Sequence, residues 1–212
     1  MRKKMTFYQS NDMARLGCGD CRGCSACCRG MGQSIVLDPY DMFWLQKATG
    51  ETFAGLMQEK IELHVENGII LPSLKMQPGT DACGFLTKEG RCAIHGYRPG
   101  LCRCFPLGRN YDESGLTYFL LEDACRIQNR TKLKIKKWLE VPALARYERF
   151  LVMWHGFRKG LMERIADSSS DEYAQRVNVK LLELMFQKPY DVNDDFYVQF
   201  EERMEAISAL IC

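Results

Sequence analysis

Cysteine is the residue type in this sequence best suited to chemistry, because thiolates bind soft and borderline metals. The chain has 11 cysteines among 212 residues. Five of them crowd one short, glycine-rich segment: Cys18, Cys21, Cys24, Cys27 and Cys28. The adjacent pair cannot readily form a disulfide with each other, and no apolar secretory segment follows the basic N-terminus. We therefore expect a metal-binding loop in a reducing compartment rather than a disulfide framework.

Two known cysteine patterns fit the segment poorly. Cys18, Cys21, Cys24 and Cys28 have the C-x2-C-x2-C-x3-C spacing of bacterial ferredoxins. Arg29 stands where those proteins have proline, however, and no second run occurs. The C-x3-C-x2-C spacing of radical-SAM enzymes is absent as well.

A different register links the segment to cysteines further along the chain. The motifs are CxxCxxCCRG at 21–30, CGFL at 83–86, CAIH at 92–95 and RPGLCRCFP at 98–106. Their order resembles the YkgJ-type cysteine-cluster family, which is described as carrying a zinc- or iron-chelating CxxCxxCC domain. The resemblance covers roughly residues 18–126 and leaves the C-terminal part outside.

The resemblance implies a set of metal ligands: Cys21, Cys24, Cys27, Cys28, Cys83, Cys92, Cys102 and, after the core motifs, Cys125. Cys18 and Cys104 are additional, and whether they are ligands stays open. Such a set could hold one 4Fe-4S cluster, two clusters or two zinc ions. One relative, the flagellin lysine N-methylase, is associated with an iron–sulfur centre. This chain is too short to contain that whole enzyme, so the resemblance does not transfer methylation activity.

Three arginines beside the cysteines are candidate cofactor-binding residues: Arg29, Arg98 and Arg103. They could donate hydrogen bonds to cluster sulfurs or offset thiolate charge. The alternative is that Arg98 and Arg103 tie loops to nearby carboxylates. His95, three residues after Cys92, could complete a zinc site, but we favour a packing role beside a hairpin.

A basic stretch follows the cysteine motifs and is predicted on one helix. It contains Arg126, Arg130, Lys132, Lys134, Lys136 and Lys137. Such a stretch could touch RNA or an acidic protein, although it is usually a solvated helix face. The formal net charge of +2 does not indicate a nucleic-acid binder.

The elements that must position these cysteines can be predicted from capping, turn and periodicity signals. Asp38 and Pro39 begin one helix, a second spans about 52–67, and an extended stretch starts at 69. Hairpins are predicted for 84–94, around the loop 88–90, and for 105–121. Helices are predicted at about 127–139, 142–164 and 171–187; Pro189 ends the third of these, and a last helix follows to about 210. Tyr147, Phe150, Trp154 and Phe157 recur at helical spacing and predict a core face.

Together these observations predict an α+β, predominantly helical single domain over 1–212. A cysteine-cluster core at 18–126, with a small cysteine-bearing hairpin region and a loop-held metal site, precedes a helical subregion at 127–212. No apolar stretch is long enough to span a bilayer, so we expect a cytoplasmic protein. The favoured function is an iron–sulfur protein supporting redox or modification chemistry on an unidentified protein or small molecule. The alternative is a zinc module that recognises a protein or RNA partner.

Overall fold

The computed structural model describes residues 5–17, 24–127, 129–168 and 170–211. It contains more helix than strand, and the expected α+β class is confirmed. The helices are α1 Pro39–Thr49, α2 Phe53–Glu59, α3 Gly100–Cys104, α4 Ile135–Leu139, α5 Leu144–Asp167, α6 Asp171–Leu182 and α7 Phe196–Ile211. The strands are β1 Phe7–Tyr8, β2 Met13–Gly17, β3 Ile61–Glu66, β4 Ile69–Leu74, β5 Met76–Gln77, β6 Ala82–Cys83, β7 Leu107–Asp112, β8 Gly115–Leu120 and β9 Thr131–Lys134.

The strands form small antiparallel sheets instead of one large sheet. β7 and β8 form a hairpin that β1 extends, and β2 pairs with β9 from far along the chain. β3–β4 and β5–β6 are separate two-stranded ribbons. Because short ribbons bury little surface on their own, the helices must complete the core.

The main core lies between the helical C-terminal part and α1. Tyr147, Phe150 and Trp154 of α5 are buried, as their helical spacing predicts, and Phe157 packs against the same core while partly exposed. Phe196 joins them from α7. A smaller second cluster lies where β2, β7, β8 and α4 meet. Among the described residues, every helix falls short of the length or apolar character that crossing a membrane requires.

The start of α1 is fixed as the sequence predicts. Asp38 is the N-cap, Pro39 opens the first turn, and Asp41 completes a reciprocal capping box. The Asp38 Oδ1 accepts from the Asp41 amide at 2.9 Å, and the Asp41 Oδ2 accepts from the Asp38 amide at 3.1 Å. The other Asp41 oxygen accepts from the Gly100 amide at 2.7 Å, so one buried carboxylate joins α1 to α3.

The helix predicted for 52–67 is wrong beyond α2. The chain leaves the helix after Glu59 and forms β3, which pairs with β4 through a tight turn at Asn67 and Gly68. Both turn residues have positive φ, 48° and 86°, which suits an Asn-Gly hairpin turn. The alternating Ile61, Leu63 and Val65 pattern therefore reports a strand rather than a helix.

Two further predicted elements need correction. The helix at 127–139 is wrong over most of its length, because 131–134 is strand β9 and only 135–139 is helical. The alternation of polar and apolar side chains in Thr131–Lys134 suits a strand, and this strand pairs with β2. In place of a hairpin at 84–94, the chain makes a turn with one isolated bridge between Leu86 and Cys92.

The remaining predictions for this part of the chain need smaller adjustments. The hairpin predicted for 105–121 is present as β7 and β8. The last predicted helices are present as α5, α6 and α7, and Ser170 is the N-cap of α6. A π-helical turn, Glu183–Gln187, prolongs α6 before Pro189.

We expect Asp41→Ala to lower the free energy of unfolding by roughly 2 kcal/mol. The substitution leaves the amides of Asp38 and Gly100 buried without an acceptor, and such unsatisfied donors are costly. Thr52→Ala is the matched control, because Thr52 caps α2 at an exposed position and should cost about 1 kcal/mol or less. Chemical denaturation measures both, and equal losses would contradict the role of Asp41 as a link between α1 and α3.

Candidate metal centre

Cys27 and Cys28 lie in a one-turn 3-10 helix, Ala26–Cys28. The Cys28 amide donates to the Ser25 carbonyl at 3.0 Å. Just beyond, Gly30 takes a positive φ of 67°, and its amide donates to the Asp81 carbonyl at 2.9 Å. The turn is thereby fastened beside β6, the strand that ends at Cys83.

Cys83 and Cys92 flank one compact loop. The Cys83 carbonyl accepts from the Leu86 amide at 2.9 Å, and the Cys92 carbonyl accepts from the His95 amide at 3.3 Å. Between them, the Ala93 amide donates to the Phe85 carbonyl at 2.9 Å. Cys83 is buried and Cys92 is partly buried against the main core. Backbone hydrogen bonds thus fix the two thiols on either side of a single turn.

Cys102 lies on α3, whose first residue is Gly100. A Cβ at position 100 would overlap the Tyr147 hydroxyl, so glycine is required for this close approach to α5. Asp41 holds the same end of α3 through the Gly100 amide. Burial, followed by the nearby Asp38 carboxylate, raises the pKa of Asp41 to about 8.

These three parts of the chain bring five thiols into one neighbourhood, which we call the thiol group: Cys27, Cys28, Cys83, Cys92 and Cys102. Cys28 donates a hydrogen bond to Cys27, and the charges of Cys83 and Cys102 both bear on Cys28. Cys92 is electrostatically linked to Cys27, Cys83 and Cys102 in turn. The thiol group therefore brings together residues that lie up to 75 positions apart in the sequence, Cys27 and Cys102.

Burial and crowding oppose ionisation of most of the group. Burial raises the pKa of Cys83, Cys92 and Cys102, and neighbouring thiols add to the effect. The hydrogen bond to Cys27, and then burial, raise the pKa of Cys28. Cys27 is the exception, because the hydrogen bond it accepts from Cys28 lowers its pKa to about 7, with a further contribution from Arg98.

The group is not a finished ligand shell in the described part of the chain. Within 5–17, 24–127, 129–168 and 170–211, no three Cys, His, Asp or Glu side chains are drawn together tightly enough to hold one metal ion. Two of the sequence-predicted candidates, Cys18 and Cys21, lie outside the described residues, as does Cys212. Cys24 and Cys125 are partly buried.

Cys104 lies apart from the thiol group. It is fully buried in the second cluster, with Leu107 and Tyr118 for neighbours, and hydrogen bonds with Arg109. Burial raises the pKa of this thiol. Cys104 thus occupies a core position. The sequence alone leaves open whether this residue is a ligand.

The three candidate arginines have different surroundings. Arg29 is exposed, and its backbone bridges to Ala82. Arg98 contacts Glu140 at 3.5 Å, and its charge lowers the pKa of Cys27. Arg103 is buried and donates to three backbone carbonyls: those of Arg98 at 2.9 Å, Glu140 at 3.2 Å, and Gly96. Arg103 therefore fastens loops through carbonyl groups rather than carboxylates, whereas the charge of Arg98 acts on the Cys27 and Cys92 thiols.

His95 is engaged by Arg98 rather than by a cysteine. The Arg98 guanidinium donates to the His95 carbonyl at 2.8 Å and lies 3.2 Å from its Nδ1. Because arginine has no acceptor, that nitrogen must accept, which places the ring proton on Nε2. Burial and the nearby arginines lower the pKa of His95. This arrangement favours a packing and hydrogen-bonding role over zinc ligation.

Two residues that position the thiols were missed from the sequence. Asp41 has a recognisable signal, since aspartates three positions apart at a helix start form a capping box. Glu140 has no such signal. It contributes its carboxylate to Arg98 and its carbonyl to Arg103 from a positive φ of 51°.

Comparison with known proteins identifies the domain that holds these thiols. No curated protein and no solved structure gives a significant match. A family model matches residues 20–140, more than half of the chain, and is described as "Putative zinc- or iron-chelating domain". The matched range contains the whole thiol group and the elements β3 to α4 that position it. This chain belongs to the CxxCxxCC family.

Proposed function

We propose that this chain is a cytoplasmic iron–sulfur protein whose cluster is held by cysteine thiolates. The observation that carries the proposal is the convergence of Cys27, Cys28, Cys83, Cys92 and Cys102 from three separate parts of the chain. Cys21, Cys24 and Cys125 are proposed to complete the ligand set, as the sequence predicts.

The chemistry of the donor set fits a soft or borderline metal. Thiolates are the preferred ligands of zinc and of iron–sulfur clusters. Asp41, a carboxyl group whose charge acts on Cys102, is occupied by the amides of Asp38 and Gly100. Hard cations that prefer several oxygens therefore find no matching site in the thiol group.

A bound cation would offset the cost of ionising the group. Burial raises the pKa of Cys83, Cys92 and Cys102, so several thiolates together are unfavourable without compensating positive charge. Metal binding displaces the thiol protons and supplies that charge. Cys27, with its pKa near 7, would lose its proton first.

Iron–sulfur is favoured over a single zinc ion by the number of thiols. One tetrahedral zinc site uses four ligands, whereas five thiols lie in one neighbourhood before Cys21 or Cys24 is counted. The charge of Arg98 acts on the Cys27 thiol. Cations and hydrogen bonds beside cluster sulfurs tune the reduction potential of a cluster. The competing proposal is a structural zinc module, which the family description supports equally.

The surrounding residues suit a centre that must be reached from solvent on one side. Cys83 and Phe85 bury one side of the group in the main core, while Cys27 and Cys92 keep partial exposure. When bound, an iron–sulfur cluster supplies electron transfer, or Lewis acidity at an iron without a protein ligand. We therefore propose redox or modification chemistry for this centre, of which methyl transfer is one form.

Metal analysis separates the two proposals. We expect anaerobically purified protein to contain about four iron and four acid-labile sulfide per cluster, and to absorb in the visible. Stoichiometric zinc without sulfide, in a colourless protein, would contradict the iron–sulfur assignment and support the structural zinc module.

Cysteine variants test the composition of the thiol group. Cys27→Ser and Cys83→Ser should each lose at least about half of the bound metal, since a thiolate ligand is replaced by a weak one. Cys104→Ala is the control, because Cys104 is buried, like Cys83, but lies in the second cluster. Metal content and circular dichroism are measured together. Equal metal loss in all three variants would show that general unfolding, rather than ligation, is being measured.

A further inference from the structure

A shallow groove of about 570 Å³ lies between β8 and α5, and its lining contains none of the five thiols. Its lining is mostly apolar: Leu116, Ala145, Val152 and Met153, with Glu148 and Arg149. Val152 and Met153 are 41% and 45% exposed, so an apolar strip of α5 faces solvent. Exposed apolar strips beside polar groups are typical of interaction sites.

A basic surface adjoins this groove, formed by Arg15 on β2, Lys132 and Lys134 on β9, and Lys136 and Lys137 on α4. All five side chains belong to exposed residues, and none forms an ion pair with another described residue. Arg15 lies directly opposite Lys132 in the β2–β9 register. Like charges placed opposite each other disfavour strand pairing, so a negatively charged partner would relieve a cost built into this ribbon.

Ser10 connects the two features. Its carbonyl accepts from the Lys136 amide at 2.8 Å, and its hydroxyl lies 3.5 Å from the Glu148 carboxylate in the groove wall. Glu148 also accepts from the Tyr118 hydroxyl at 3.0 Å, so its negative charge is engaged by protein donors. Arg149 adds an exposed cation to the groove itself. Ser10 therefore places the start of α4 beside the groove wall, and we call the groove and the basic surface together the amphipathic face.

We propose that this face docks an acidic amphipathic segment of a partner protein. The apolar side of such a segment would lie along Val152 and Met153, and its carboxylates would face Lys132, Lys134 and Lys136. This combination matches helix-in-groove recognition, in which apolar anchors give affinity and surrounding charges give orientation.

A protein segment fits this face better than a nucleic acid does. Binding to single-stranded nucleic acid relies on exposed aromatic rings that stack on bases. Trp138 is the aromatic residue of the stretch 129–140, and it is partly buried with its Nε1 donating to the Phe105 carbonyl at 3.0 Å. Val152 and Met153, by contrast, present apolar side chains that suit the apolar side of a protein segment.

Fluorescence anisotropy with defined probes tests the proposal. The probes are a labelled peptide of about 18 residues, with leucines at helical spacing and glutamates elsewhere, a scrambled peptide of the same composition, and a single-stranded RNA. The proteins are the wild type, Met153→Glu, and a triple variant with Lys132, Lys134 and Lys136 changed to Gln. The charge-matched control changes Lys88, Arg176 and Lys188 to Gln, all exposed and remote in sequence from the basic surface.

We expect the amphipathic peptide to bind at least about tenfold more tightly than the scrambled one, because only the former presents a continuous apolar side. Met153→Glu and the triple lysine variant should each weaken binding about tenfold, and the control by less than about twofold. Equal affinity for both peptides, tighter binding of RNA, or no effect of either variant would overturn the proposal. Metal content measured on the same samples keeps this result separate from the function of the thiol group.

Discussion

Several thiolates in one partly buried site repel one another, and a bound cation is needed to offset that repulsion. The thiol group is subject to this electrostatic constraint. Burial raises the pKa of Cys83, Cys92 and Cys102, and each thiol adds to the cost of ionising its neighbours. A chain that gathers such groups without a ligand would gain little stability from them. The arrangement is understandable as a site whose favourable energy comes from the metal.

The local structure around the thiols serves that requirement. Short loops held by backbone hydrogen bonds present Cys28 and Cys92, while the buried Asp41 carboxylate fixes the helix that carries Cys102. Arg103 closes the arrangement by donating to three carbonyls, which no other side chain could do with one rigid group. The helical C-terminal part contributes the core against which these loops pack.

Local signals predicted some elements well, and long-range pairing explains what they missed. The Asp38–Pro39 start of α1 and the β7–β8 hairpin follow from capping and turn chemistry that acts over a few residues. The helix predicted for 127–139 fails because 131–134 pairs with β2, more than a hundred residues away, and tertiary pairing overrides local propensity. Spacing alone also could not distinguish Cys102 from Cys104. On α3, Cys102 packs against the main core, whereas Cys104 lies in the second cluster.

X-ray absorption spectroscopy of the metal-loaded protein tests the central claim most directly, because it reports the atoms bound to the metal. The account predicts a first shell made of sulfur, at about 2.3 Å for zinc, with an additional iron neighbour where a cluster is present. The same spectrum collected on Cys104→Ala should be unchanged, since that thiol lies in the second cluster. A first shell dominated by nitrogen and oxygen would contradict the assignment of the thiol group as the metal centre.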